Sequence, residues 1–328
     1  MKKIMVVLVI LAMMAVGCTP KPSEYDTPNG KLQNGNPIRL MSVNRLHPVV
    51  RTITLGFEDA CRDLGVVCEN NSVEGVDFVA FVASVDIALS QGTSGAIPFV
   101  DKAVIEADKK LIAGGVPCIN IHTAIPEGEL PGLLGWVAAD ATDYAERSAI
   151  AIGEKLGGKG VVAITQGNLN DLENVVTKVF TAKMNEKFPD IIVLPPEMEG
   201  FDQIAAIAVA TAILQKNPDI TAAFGTTGNS PVTWAKAAEA VGKKPGDIVI
   251  VGMDYVRQNL DLVKSGWVYA LVGQPLYEET YRAVELLVAN LQGKKVDYAN
   301  PYPAPIIMLA DLGKYYVYAD RVDASLEK

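Results

Sequence analysis

From Ile38 onward, short apolar runs alternate with longer segments whose apolar residues recur at helical spacing. The short runs predict strands at Ile38–Val43, Gly95–Phe99, Val116–Ile121, Gly135–Ala139, Gly160–Thr165, Ile191–Leu194, Ala222–Phe224, Ile248–Gly252 and Val268–Val272. The longer segments predict helices, among them Val49–Leu64, Asp101–Ile112, Asp143–Leu156, Leu172–Phe188, Gln203–Lys216, Val232–Val241 and Glu278–Leu291. Strands that alternate with helices imply right-handed crossovers and parallel sheets covered on both faces. There are too many strands for one comfortable sheet, so the pattern predicts an α/β protein of two doubly wound parallel-sheet lobes. In such sheets ligands bind beyond the carboxyl ends of the strands, which singles out the loops there.

The chain before Ile38 follows different rules. Lys2 and Lys3 precede an uninterrupted apolar run, Ile4–Met14, that is too short to span a bilayer. Small residues and a cysteine, Ala15-Val16-Gly17-Cys18, close it, giving the layout of a secretory signal peptide over residues 1–18. The closing tetrapeptide resembles the lipobox of bacterial lipoproteins, with Ala15 where Leu is usual. The expected product carries lipid on Cys18 and sits in the cell envelope, outside the cytoplasm, held to a bacterial membrane. Residues 19–37, rich in Pro, Gly, Asn and Lys and without hydrophobic period, read as a flexible tether.

About 310 residues follow the signal, enough for two ordinary domains, and 49% of the chain is hydrophobic. The net charge of −9, with no basic run beyond the signal, argues against nucleic acid and against an extended anionic membrane surface as partners. No later apolar run reaches transmembrane length. Of the four cysteines, Cys18 is accounted for by lipidation. Cys61, late in a helix, and Cys68, in the strand that follows, are close enough in sequence to bridge or to stay reduced. Cys118 reads as a small buried residue. No cysteine, histidine or carboxylate spacing makes a metal site, and no cofactor motif is present, so neither is expected.

The loops at the predicted strand ends are rich in amides and hydroxyls. The first contains Asn44-Arg45-Leu46-His47-Pro48, with Pro48 suited to a first helical position and His47 near the cap. The third strand ends in Asn120-Ile121-His122-Thr123, so both histidines of the chain fall at such ends. Later ends carry Gln166 to Asn174, Gly225 to Ser230, Met253-Asp254-Tyr255 and Gly273-Gln274-Pro275. Basic groups are scarce, limited to Arg45 and, in the helix behind, Arg51. Any one Asn, Thr or Ser is explained by turn and cap chemistry. The whole set fits a neutral hydrogen-bonding ligand, because an anion would recruit more Arg or Lys. Asp254 has two readings, ligand acceptor or N-cap of the next helix.

At these residues the chain resembles the type I periplasmic sugar-binding proteins that feed ABC importers. Leu46-His47-Pro48-Val49-Val50 with Leu64-Gly65, the run Ile248-Val249-Ile250-Val251-Gly252-Met253-Asp254, and Gly273-Gln274-Pro275 carry the likeness, which extends from Ile38 to about Val317. The resemblance implies a hinge of three crossovers near Ala139-Asp140, Gly273-Gln274 and Ala304-Pro305. It implies an N-terminal lobe of residues 38–139 and 275–304, and a C-terminal lobe of 140–274 and 305–328. It places ligand contacts on His47, Val49, His122, Thr123, Asn174, Phe201, Thr227, Asp254 and Gln274; Arg51, in the helix after the first loop, is a further candidate contact. The family often has aromatic rings where Val49 and Val50 stand, Asp-Arg in place of His122-Thr123, and Arg in place of Asn174, so the identity of the sugar does not carry over. The implied function is capture of a small neutral sugar or polyol by a monomer that delivers it to an ABC permease. The alternative is a sensor that presents a sugar, nucleoside or signal molecule to a membrane kinase or chemoreceptor. No nucleophile elbow, phosphate loop or HExxH is present, so an enzyme is not expected.

Overall fold

A computed structural model describes residues 35–98, 103–167 and 171–326. Cys18, the signal segment, most of the tether and Asn168 to Asn170 lie outside the described residues. Two sheets organise the rest. The first contains β1 (Ile38–Met41), β2 (Cys68–Asn70), β3 (Gly95–Pro98), β4 (Ile119–Ile121), β5 (Gly135–Ala139) and β12 (Ala299–Tyr302). Its order is β2-β1-β3 and β4-β5-β12, the halves joined by a parallel bridge between Ala96 and Cys118, and every pairing is parallel. The second contains β6 (Gly160–Gln166), β7 (Ile191–Val193), β8 (Glu197–Met198), β9 (Ala222–Gly225), β10 (Val249–Met253), β11 (Ala270–Val272) and β13 (Ile306–Ile307). Its order is β13-β11-β10-β9-β6-β7, with β8 pairing on β6 and only β13 antiparallel. Strands such as β1, β3, β9 and β10 are buried along their whole length, which is why they read as continuous apolar runs rather than alternations.

Ten helices cover the sheets: α1 (Pro48–Leu64), α2 (Phe78–Gln91), α3 (Ile105–Ala113), α4 (Ala141–Lys155), α5 (Asp171–Lys187), α6 (Gln203–Lys216), α7 (Ser230–Ala240), α8 (Arg257–Lys264), α9 (Leu276–Leu291) and α10 (Leu312–Leu326). Local chemistry fixes the first of them. His47 caps α1, Pro48 fills its first turn, and Gly65 ends it at φ 66°, a left-handed conformation that costs glycine little. The helices α2, α8 and α10 and the short strands β12 and β13 are not among the elements the sequence pattern delimits. In α2 the reason is visible: Val79 and Val82 face outward, so its apolar residues show no clear stripe. The lead-in to β4 is also shorter than expected, because Val116 and Pro117 lie outside the ladder and Cys118 makes only the single bridge.

The chain passes between the lobes three times. It leaves β5 and enters α4, which packs on α5, β10 and β13. Asp140, between the two, caps α4 by accepting from the Thr142 N–H at 2.9 Å. It leaves β11 and enters α9, which packs on α1, β3, β4 and β5. Finally it runs from β12 to β13. The second and third passages are tied by the Gly273 N–H, which donates to the Pro305 carbonyl at 2.8 Å, and a Cβ at Gly273 would lie 2.6 Å from Ile307 Cδ1. The last helix, α10, then packs on α8 of one lobe and α1 of the other. Cys61 and Cys68 form a disulfide with Cα atoms 6.1 Å apart, and Cys118 is a buried free thiol. No helix among the described residues is long and apolar enough to cross a membrane.

Candidate functional site

The carboxyl ends of β1 and β4 bring one wall of an interlobe cleft together. His47 Nδ1 accepts the Val49 N–H at 3.3 Å, which leaves the proton of a neutral ring on Nε2. That nitrogen lies 3.0 Å from Oδ1 of Asn229 in the opposite lobe, and Asn229 Nδ2 in turn donates to the Phe201 carbonyl at 3.3 Å. Burial lowers the His47 pKa, partly offset by the Asn229 hydrogen bond, which agrees with the neutral ring. Val49 is buried in the first turn of α1, and Arg51, two residues on, is half-buried. At the end of β4, His122 holds a left-handed backbone with φ 71°, uncommon for a residue bearing a Cβ. Its Nδ1 is 3.2 Å from Oε1 of Glu279, a fully buried carboxylate in the first turn of α9. Thr123 follows, half-buried, its carbonyl accepting from Asn120 Nδ2.

The other wall comes from the second sheet. Asp254 follows β10, also with a left-handed backbone at φ 71°, and its N–H donates to the Val272 carbonyl at 2.9 Å. It is not an N-cap: α8 begins at Arg257, with Val256 in the cap position. That removes the capping reading of Asp254. Its side chain is 2% exposed, and Oδ1 has no hydrogen-bond partner among the described residues. Gln274, after β11, is buried beside the hinge passage. Thr227 is buried and donates to Oε1 of Glu199 at 2.7 Å, with Ser230 donating to the same oxygen. The second Glu199 oxygen is buried and unpartnered. Phe201 is half-exposed, and its ring and the Thr227 methyl both crowd the space beside Gly167, where a Cβ would meet them at 2.6 and 2.8 Å. Asn174 is exposed on α5 and accepts from Gln166 Nε2 at 3.1 Å.

The walls also approach each other at Gly228. A Cβ there would lie 2.7 Å from Asp254 Oδ2 and 2.9 Å from Val49 Cγ2 of the other lobe. The structure thus brings His47, Val49 and Asp254 into one region with Asn229 and Gly228, and His122 into another with Glu279. The electrostatics join the two regions. Burial would lower the His122 pKa, but the charge and hydrogen bond of Glu279, with help from Asp254, override it and push it up to about 9. Burial raises the Asp254 pKa to about 7, opposed by His122 and assisted by Glu279. Glu279 and Glu199 are raised as well, in both cases chiefly by burial. A carboxylate whose lone pairs are desolvated and unmet is costly unless something supplies donors. The cleft therefore offers acceptors on both walls and an imidazole between them, with no group of three or more metal-ligating side chains among the described residues.

Glu279, Glu199, Asn229 and Gly228 were not among the residues singled out from the sequence. Glu279 had one sequence signal, its place five residues after Gln274 at the start of a helix that follows a hinge passage. Glu199 had none beyond a position just before Gly200-Phe201.

Two parallel α/β lobes, joined by three passages and facing each other across a polar cleft, define the architecture of a type I periplasmic binding protein. A sequence model of the periplasmic binding protein domain matches residues 42–295, and the chain belongs to that family. It is 27% identical over 188 residues to the D-allose-binding periplasmic protein of Escherichia coli (strain K12), covering 56% of this chain and 60% of that one. It is 25% identical over 215 residues to the xylitol-binding protein of Mycolicibacterium smegmatis (strain ATCC 700084 / mc(2)155), covering 65% and 57%. The chain thus spans less than two thirds of the length of these relatives. The fold is similar to that of an ABC transporter solute-binding protein from Agrobacterium vitis bound to alpha-D-tagatopyranose, with TM-score 0.78, 22% identity, and coverage of 84% of this chain and 96% of that one.

Proposed function

We propose that this protein captures a small neutral sugar or polyol between its lobes and delivers it to an ABC permease. The observation that carries the reading is Asp254: a buried carboxylate at the lobe interface whose Oδ1 has no partner among the described residues. Hydroxyl groups supply the missing donors without bringing a charge that the cleft would have to neutralise. The names of two relatives, one binding D-allose and one xylitol, support the same class of ligand. His47, Val49, Arg51, His122, Thr123, Asn174, Phe201, Thr227 and Gln274 are the accompanying candidate contacts. Closure of the lobes about the hinge would bury the ligand and present the closed form to the permease. The protein works in this reading as a monomer outside the cytoplasm, tethered through residues 19–37 to a lipidated Cys18.

A thermal-shift screen of D-allose, D-galactose, D-xylose and xylitol tests the capture step. A ligand at a hundred times its Kd stabilises the native state by about 2.7 kcal/mol, a shift of several degrees. Stabilisation by phosphorylated or carboxylated compounds alone, with salt-sensitive affinity, would refute the neutral-ligand reading. For anchoring, Cys18→Ser should release the protein from the membrane fraction of a bacterial host, and unchanged membrane association would refute the lipid anchor.

A further inference from the structure

The His122–Glu279 pair has features that a merely structural ion pair does not need. Glu279 is fully buried, and its second oxygen, Oε2, meets no hydrogen-bonding group. The His122 ring commits Nδ1 to it, and about a third of the His122 side chain (34%) remains accessible. Nδ1 is the one ring nitrogen that makes a side-chain hydrogen bond among the described residues, which leaves Nε2 for a ligand. The left-handed backbone of His122 sets the ring at the end of β4, beyond the sheet, where the field of Asp254 from the other lobe reaches it. A histidine whose Nδ1–H is held by a carboxylate can be either acceptor or donor at Nε2, and its charge decides which.

We propose that Glu279 is a positioning residue of the cleft: it keeps the His122 ring doubly protonated, so that Nε2–H faces the ligand as a donor opposite the acceptor Asp254. This deepens the sugar-capture reading and rests on it for the identity of the ligand. A donor on one wall and an acceptor on the other select a group that can accept and donate together, which a hydroxyl does. An ammonium ion can only donate and would face a cationic ring. The charged groups that bear on His122 are Glu279 of α9 and Asp254 after β10; Glu278 acts on Glu279, and buried Tyr144 of α4 lies in the field of Asp254. The direction agrees with the raised His122 pKa, in which the Glu279 charge and hydrogen bond overcome burial.

The test uses Glu279→Gln, which keeps size and a hydrogen-bonding oxygen but removes the charge. Imidazole NMR reads the two histidines of the chain separately, with His122→Gln assigning the signals. In the wild type the His122 ring should stay doubly protonated until about pH 9, while His47 titrates below its ordinary value. In Glu279→Gln the His122 transition should fall to neutral pH or below. Calorimetry with D-allose as the probe then compares variant and wild type at the same pH. Affinity of the variant should be roughly tenfold or more lower at pH 8.5, the scale of a lost charge-assisted hydrogen bond. The loss should shrink once pH falls below the variant's own His122 transition as read by NMR, where the ring regains its proton without Glu279. An unchanged His122 titration overturns the proposal. So does an affinity loss of the same size at every pH. If D-allose does not bind the wild type, that sugar leaves the capture reading, while the NMR titration still decides the role of Glu279.

Discussion

Asp254→Asn separates a carboxylate kept for a ligand from one kept for the fold. The Asp254 pKa rises from 3.8 to about 7 in the folded protein, with burial as the main cause. Three units correspond to about 4 kcal/mol of differential interaction, the ceiling on what the ionised group costs the closed, empty cleft above pH 7. Opening of the lobes would rehydrate the group, so the cost cannot exceed the free energy of that opening, and about 1–4 kcal/mol is expected. The sign follows from proton binding. Between pH 4 and 7 the folded chain holds a proton that the unfolded chain has released, so wild-type stability falls as pH rises through that window. The amide lacks this slope. The melting curves of wild type and Asp254→Asn should coincide near pH 4 and diverge by pH 8, with the variant several degrees higher. Ligand affinity should move the opposite way, with a loss of about 1.5–3 kcal/mol for a hydrogen bond to a charged acceptor. Scanning fluorimetry across pH 4–8 and calorimetry with a sugar from the screen measure both. Parallel pH profiles, or a variant that is less stable at pH 8, would refute the reasoning, because either result means that the carboxylate supports the fold.

Gly228→Ala should weaken sugar binding by tenfold or more without unfolding either lobe, because its Cβ would meet Val49 Cγ2 of the other lobe when the cleft is shut and would crowd Asp254 Oδ2 of its own lobe; calorimetry beside a melting curve checks both halves. Asp59 of α1 is held by Tyr277 of α9, by Arg62 and by Arg321 of α10, and these three keep its pKa low against burial. Its contribution is therefore present above the ordinary carboxylate range and declines as pH falls below it; Asp59→Ala should cost about 2–4 kcal/mol at pH 7 in chemical denaturation, and about 1 kcal/mol less at pH 3. Reduction of the Cys61–Cys68 disulfide, which closes a short loop, should lower stability by about 2–3 kcal/mol, read as a drop in melting temperature with dithiothreitol that Cys61→Ser no longer shows.

What the chain could announce about itself is whatever depends on near neighbours in sequence. Ile38, Leu40 and Met41, or Val249, Ile250 and Val251, read as buried parallel strands because a strand covered on both faces is apolar at consecutive positions. Pro48 with His47 marks the start of α1 because a first helical turn has no use for the N–H that proline lacks. The succession of such elements is enough for two doubly wound lobes, and strand ends are enough to point at His47, His122, Asp254 and Gln274. The disulfide was only half legible. Cys61 and Cys68 are near in sequence, but whether their Cα atoms come within bonding range depends on how α1 turns into β2.

The tertiary structure decided everything that depends on distant segments of the chain meeting. His47 and Asn229 are 182 residues apart, and His122 and Glu279 are 157 apart, so no local pattern links them. Glu199 looks like a solvated carboxylate in sequence, yet folding sets it behind Thr227 and Ser230 with one oxygen unmet. Asp254 before a helix suits a cap as well as it suits a ligand, and only the start of α8 at Arg257 separates the two. The physical reason is the range of the interactions. Hydrophobic period and capping act over one or two turns of chain. The charge state of His122, and the cost of burying Asp254, come instead from desolvation and from partners brought from distant parts of the chain, Glu279 from the same lobe as His122 and Asp254 from the other.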